Sequence, residues 1–144
     1  MFKKDQRIKV VDHPWLNKTC IAKRNIRRNE KFHYWGRDVG LIDDTDNDYI
    51  LTVCDNSSSI DPTFFVDSYL QFANAPGPDE KDNITPTRRY MKKNGLISQE
   101  FRAVCSVRKG CQILWSYGDE PEWFDERNIK KKNCGTQELP SRSK

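Results

Sequence analysis

Asn74 carries an amide donor and an acceptor on one short side chain and stands directly before Ala75-Pro76-Gly77-Pro78-Asp79. Two prolines around a glycine force irregular chain there, and such a break leaves polar groups free to meet a polar ligand. A local Asx-turn is the plainer alternative for the same side chain. The other reactive residue types point away from metal and thiol chemistry. Cys20, Cys54, Cys105, Cys111 and Cys134 are odd in number and too widely spaced for the paired cysteines of zinc ribbons or redox sites. They read as reduced, intracellular thiols, buried or partly buried rather than ligating. His13 and His33 are the only histidines, which leaves little for a histidine metal site or catalytic dyad, so no metal is expected.

Charge supplies a second signal. The chain has 25 Lys/Arg and 21 Asp/Glu, a net charge of +4. Without residues 130–144, which hold Lys130, Lys131, Lys132, Arg142 and Lys144 against Glu138, the two signs balance at 20 each. A neutral body argues against direct nucleic-acid binding through a uniformly basic face. The signs are nevertheless segregated. Residues 1–37 carry 11 basic and 3 acidic side chains, while Asp38 to Glu80 holds 10 acidic residues and no lysine or arginine. That block is either solvated surface or a site that attracts a Lys/Arg-rich peptide.

The elements that position these residues are short. At 144 residues, one domain is expected, with a charged surface, since 32% of residues are charged and 35% hydrophobic. No run approaches the roughly 18 apolar residues of a membrane span, and residues 1–5 are not followed by a signal-like apolar stretch, so neither membrane insertion nor secretion is expected. Strands are predicted over Arg7–Val11, Thr19–Ala22, Lys31–Trp35, Tyr49–Cys54, Thr85–Met91, Ile97–Val107 and Cys111–Tyr117. Asn56-Ser57-Ser58-Ser59 reads as a polar turn, and Lys92-Lys93-Asn94-Gly95 as a hairpin turn of type I′. A short helix is expected within Thr63–Phe72, and one or more helical turns within Glu122–Lys132. The domain is expected over residues 1–128, with 129–144 a basic, disordered tail.

Four pieces then occur in an informative order: Thr19-Cys20-Ile21-Ala22 with Ile26-Arg27-Arg28-Asn29-Glu30; Tyr34-Trp35-Gly36; Phe72-Ala73-Asn74-Ala75; and Val107 to Gly118, ending Trp115-Ser116-Tyr117-Gly118. This order resembles the SET domain of protein lysine methyltransferases, in its minimal, flankless viral or algal type. The resemblance covers roughly residues 8–124. It implies a mainly β fold with few short helices, in which several small sheets surround a pseudoknot-like crossing of chain segments. Three departures stand out. Leu16-Asn17-Lys18-Thr19 replaces the family's glycine-rich loop, Asn74-Ala75 replaces its Asn-His pair, and Gly110-Cys111-Gln112 replaces its Gly-Glu-Glu turn.

What the resemblance implies for the site is specific. Tyr117 would be the catalytic tyrosine, whose hydroxyl orients a neutral lysine amine toward the methyl carbon of S-adenosyl-L-methionine. Asn17, Lys18, Thr19, Asn74 and Ala75 would border that cofactor, and Trp123 would stack on its adenine, unless it is only a C-terminal anchor. Asn83 would match the second asparagine that ties the crossing. The partner implied is a basic protein or peptide such as a histone tail, and the compartment is intracellular, the nucleus included. The altered glycine loop leaves one alternative, a catalytically inactive SET-like module that binds peptides.

Overall fold

The computed structural model describes residues 2–42, 49–77, 79–116 and 134–139. Strands β1 (Ile8–His13) and β2 (Asn17–Ala22) form an antiparallel hairpin that is a sheet by itself. Strands β3 (Lys31–Asp38), β4 (Leu51–Thr52), β5 (Ser59–Asp61), β6 (Ile84–Lys93) and β7 (Leu96–Ala103) form a second sheet in the order β4-β5-β3-β7-β6, with every pair antiparallel. A 3₁₀ turn, Tyr69–Phe72, is the one helical element among the described residues. The fold is therefore mainly β, as the sequence pattern and the resemblance imply.

Period-two alternation explains the core. On β3 Phe32 and Tyr34 point inward, and on β7 Ile97, Gln99, Phe101 and Ala103 do the same, with Phe32 opposite Phe101 and Tyr34 opposite Gln99. Trp115 packs edge-on against Phe101, ring centroids 4.9 Å apart, and Tyr34 completes the trio at 6.2 Å from Trp115. Ile8, Cys20 and Ala22 of the hairpin, with Leu70, Ile84, Val107 and Ile113, close the same cluster. At the end of β3 the chain passes so near Asp61 that a Cβ on Gly36 would lie 2.4 Å from its carbonyl oxygen. Only glycine fits there.

Asparagine does at two turns what glycine does elsewhere. Asn29 has φ 74 in the turn after Ile26, and Asn94 (φ 52) with Gly95 (φ 81) makes the expected type I′ hairpin between β6 and β7. Glu30 locks the first of these turns. Its carboxylate accepts from the Arg24 guanidinium, the Arg27 amide and the Arg7 guanidinium, and these bonds, Arg24's foremost, pull its pKa down to about 2. Arg7 also lies 4.3 Å from the centroid of the Phe32 ring.

Several expectations need correction. The helix across 63–72 is reduced to the 3₁₀ turn, because Thr63 N bonds Asp61 Oδ1 and tight turns follow at Phe65 and Ser68. The buried Gln71 amide donates to the carbonyls of Pro62, Phe65 and Ser68, replacing bonds a helix would supply. Ser59, read as turn, begins strand β5 and is fully buried. Tyr49–Cys54 shrinks to Leu51–Thr52, and β7 ends at Ala103 rather than Val107.

The cysteine reading and the tail both change. Cys105 and Cys134 form a disulfide with Cα atoms 6.2 Å apart, so two of the five cysteines are not reduced thiols. Cys20, Cys54 and Cys111 are free. Disulfides persist in oxidising surroundings and are rare in reducing ones, so the cysteines no longer argue for an intracellular setting. Residues 134–139, expected to be part of a disordered tail, are packed. Arg108 N donates to Gly135 O and Gln112 N to Gln137 O, and Gln137 is fully buried. A Cβ on Gly135, whose φ is +83, would meet the Ser106 carbonyl at 1.7 Å. No helix among the described residues is long and apolar enough to cross a membrane.

Candidate active site

The β1–β2 hairpin carries the first wall of the candidate site. His13 Nδ1 accepts from the backbone amides of Trp15 (3.2 Å) and Leu16 (3.1 Å), which bends the chain tightly behind β1. Burial holds the imidazole below its ordinary pKa, and Glu80 opposes this only in part, so the neutral acceptor form is favoured. The turn ends in Asn17 at φ 70, a conformation Asn tolerates through its short polar side chain. Asn17 thus holds the turn in a backbone conformation that glycine adopts freely. Trp15 is 63% exposed beside this turn, its ring edge-on to His13 at 4.9 Å.

Asn74 meets this wall directly. Its Nδ2 donates 2.9 Å to the carbonyl of Lys18, 56 residues away in sequence, and its own carbonyl accepts from Trp115 N at 3.2 Å. Asn74 also pairs in parallel with Leu114 as a single bridge. Asn17, Lys18, Asn74 and the segment that ends at Ser116 are therefore joined in one junction, with the half-buried Ala75 next to it. The Asn74 Nδ2 bond joins distant segments of the chain, a contact beyond the local Oδ1 bond of an Asx-turn. Thr19 differs from the other loop residues. It is fully buried and its hydroxyl donates to Gln112 Oε1 at 3.0 Å, so its side chain braces the junction from inside.

The segment 111–116 is not a continuous strand, contrary to the sequence expectation. Successive residues pair with different partners: Cys111 with Glu138, Gln112 with Ile21 and Leu114 with Asn74. Asn83 ties the crossing. It is buried, donates to Gln112 O at 2.7 Å and accepts from Leu114 N at 2.8 Å, while its own amide donates to Leu114 O. Asp82 then fixes the next residue, accepting from Ser116 N (3.2 Å) and Ser116 Oγ (2.9 Å). The backbone is thereby anchored up to the residue before Tyr117. Tyr117 and Trp123 themselves lie outside the described residues.

Sequence reasoning did not single out Asp82, His13 or Gln137 for these roles. Gln112 stood out only as a departure from Gly-Glu-Glu, yet it is buried and serves as the hub between Thr19 and the C-terminal segment. Cys20, next to Thr19, is inert as a nucleophile, because burial pushes its thiol far up.

Solved structures share this architecture. The methyltransferase domain of human PR domain-containing protein 2 superposes with a TM-score of 0.52 at 18% identity, covering 82% of each chain. A crystal structure of KRYPTONITE in complex with mCHH DNA, H3(1-15) peptide and SAH gives a TM-score of 0.59 at 14% identity, over 81% of this chain. The match takes in 24% of the KRYPTONITE chain. No protein-family model and no curated protein matches the sequence. The chain has the fold of SET-domain methyltransferases.

Proposed function

We propose that the protein is an S-adenosyl-L-methionine-dependent methyltransferase acting on a lysine in a basic protein or peptide, a histone tail being the model substrate. The observation that carries this reading is the bond from Asn74 Nδ2 to Lys18 O, which locks the hairpin turn to the crossing segment where the resemblance puts the cofactor. KRYPTONITE, of the same fold, is described with SAH and a histone peptide, which supports both the cofactor and the substrate class. The residues present suit the cofactor's amino-acid end: Asn74 keeps its Oδ1 as an acceptor for an ammonium, and the Asn17 turn supplies the tight backbone the family makes with glycine.

When bound, the cofactor supplies a sulfonium-activated methyl group. The chain's own contribution is orientation and the exclusion of water. Tyr117 follows a backbone pinned by Asp82, and its hydroxyl would hold the lysine amine, deprotonated despite an unperturbed pKa of about 10.4, in line for transfer. Trp123 would cover the adenine face. The inactive-module alternative draws on one observation, that Thr19 of the altered loop is fully buried and spends its hydroxyl on Gln112. One experiment separates the two. Calorimetric titration with S-adenosylhomocysteine should give saturable binding, weakened at least about 10-fold in Asn74→Ala, where a charge-assisted bond is lost. No heat and no thermal shift at millimolar ligand would end the enzyme reading in favour of the module.

A further inference from the structure

Strand β6 is irregular at its adjacent arginines, Arg88 and Arg89. Its register against β7 shifts between Pro86 and Tyr90, so that Thr87, Arg88 and Arg89 bulge away from the ladder. Bulges re-aim side chains, and this one is held from within the core. The buried Gln99 amide donates to Thr87 O at 2.8 Å and to Arg89 O at 3.1 Å, while its Oε1 accepts from Cys54 N at 2.9 Å. In a regular strand Arg88 and Arg89 would point to opposite faces. Here both line one cavity of about 440 Å³, together with His33, Tyr90, Met91, Ser98 and Glu100. Neither guanidinium has a carboxylate partner among the described residues.

The floor of this cavity is the outer face of the sheet. Ser98 stands opposite Trp35 on one side and Met91 on the other, and Glu100 stands opposite His33. Ser98 is 1% exposed and its hydroxyl has no hydrogen-bond partner. A buried hydroxyl left unpaired costs free energy, and such a group calls for an explanation. Glu100 is partly engaged, one oxygen accepting from Thr87 Oγ1 at 2.6 Å. Burial holds His33 below the ordinary imidazole range, so it adds a neutral polar edge.

We infer that this cavity is a binding site for a small phosphomonoester with a hydroxylated body, a sugar phosphate or the sugar-phosphate part of a nucleotide. Arg88 and Arg89 pair with the phosphate oxygens, the geometry for which paired guanidiniums are suited. Ser98 Oγ gains the partner it lacks, and the remaining oxygen of Glu100 accepts from a hydroxyl of the body, which keeps the carboxylate away from the phosphate. Met91, opposite Ser98, gives the sugar's carbon face an apolar wall. The site is built on the outer sheet face and on residues that take no part in the candidate active site, so it stands apart from the methyltransferase reading.

The test uses the full chain with S-adenosylhomocysteine present at saturation, so that the cofactor site cannot account for binding. Ribose 5-phosphate should bind saturably at sub-millimolar to millimolar concentration and raise the melting temperature, with ribose alone and inorganic phosphate each weaker. Uridine 5′-monophosphate binding more tightly than ribose 5-phosphate would identify a nucleotide as the source, and equal or weaker binding a sugar phosphate. The double variant R88Q/R89Q should weaken binding at least about 10-fold. Ser98→Ala should leave the ligand-free melting temperature unchanged or higher, since it removes an unpaired buried group, and should shrink the ligand-induced shift. Absence of saturable binding at 10-fold higher ligand, binding indifferent to R88Q/R89Q, or a ligand-free melting temperature that falls in Ser98→Ala would each overturn the assignment.

Discussion

Gln137 and Lys81 treat each other as strand neighbours although only one of them uses its backbone. The Gln137 amide nitrogen donates to Lys81 O at 2.8 Å, and Lys81 N donates back to Gln137 Oε1. A side chain thereby completes a two-way peptide pair and fastens the C-terminal segment beside Asp82 and Asn83.

Because Gln137 is fully buried, removing its amide strands both groups of Lys81. Gln137→Ala should cost about 1–3 kcal/mol in urea unfolding. Faster hydrogen exchange at the Lys81 amide would localise the effect. A change within error at both readouts would show that water replaces the pair without penalty.

Tyr117 should matter to turnover far more than to folding. Tyr117→Phe removes a hydroxyl and little volume, so the melting temperature should hold while methyl transfer to a histone-tail peptide falls about 100-fold or more, the scale of losing one placed donor. Undiminished turnover in the Phe variant would take Tyr117 out of the mechanism.

His13 predicts a pH dependence of defined sign. Its folded pKa lies below the ordinary 6.5 through burial, with Glu80 opposing, so the unfolded chain binds the proton more readily. Stability from the neutral imidazole is present above pH 6.5 and is lost as pH falls through 6.5 toward the folded value. Protonation at Nδ1 also ends the two bonds to Trp15 and Leu16. His13→Asn should flatten the stability profile between about pH 7 and pH 5 relative to the parent. His33 contributes a slope of the same sign and is common to both proteins.

The acidic segment gives a kinetic expectation. Replacing Asp43, Asp44, Asp46 and Asp48 with Asn should raise the apparent Michaelis constant for a Lys/Arg-rich peptide, most at low salt, because exposed charges are screened beyond about 8 Å at physiological ionic strength. A constant that does not move at any salt would reduce this segment to solvated surface.

What the sequence made legible were features with a local physical signature. The run Lys31–Trp35 marked β3, Asn94-Gly95 marked its hairpin, and the ordered motif pieces singled out Asn74 and linked Asn83 to the crossing. The features that escaped are those whose cause lies far along the chain. Ser59 is a strand residue because β3 and β4 reach it, Gln71 halts a helix by capturing three carbonyls, and Cys134 finds Cys105 only because Gly135 and Gln137 dock. A polar residue satisfied by a distant partner reads in sequence like a polar residue at the surface.

The bond between Cys105 and Cys134 also sets how the molecule yields to tension. With the two sulfurs joined, a force applied at the termini passes directly from one cysteine to the other and skips the residues between them, a sequence separation of 29. About 100 Å of contour is closed into a ring that pulling cannot draw out. Tyr117 and Trp123 both sit in that ring, so the chain can be stretched from either end without hauling on the segment that holds them.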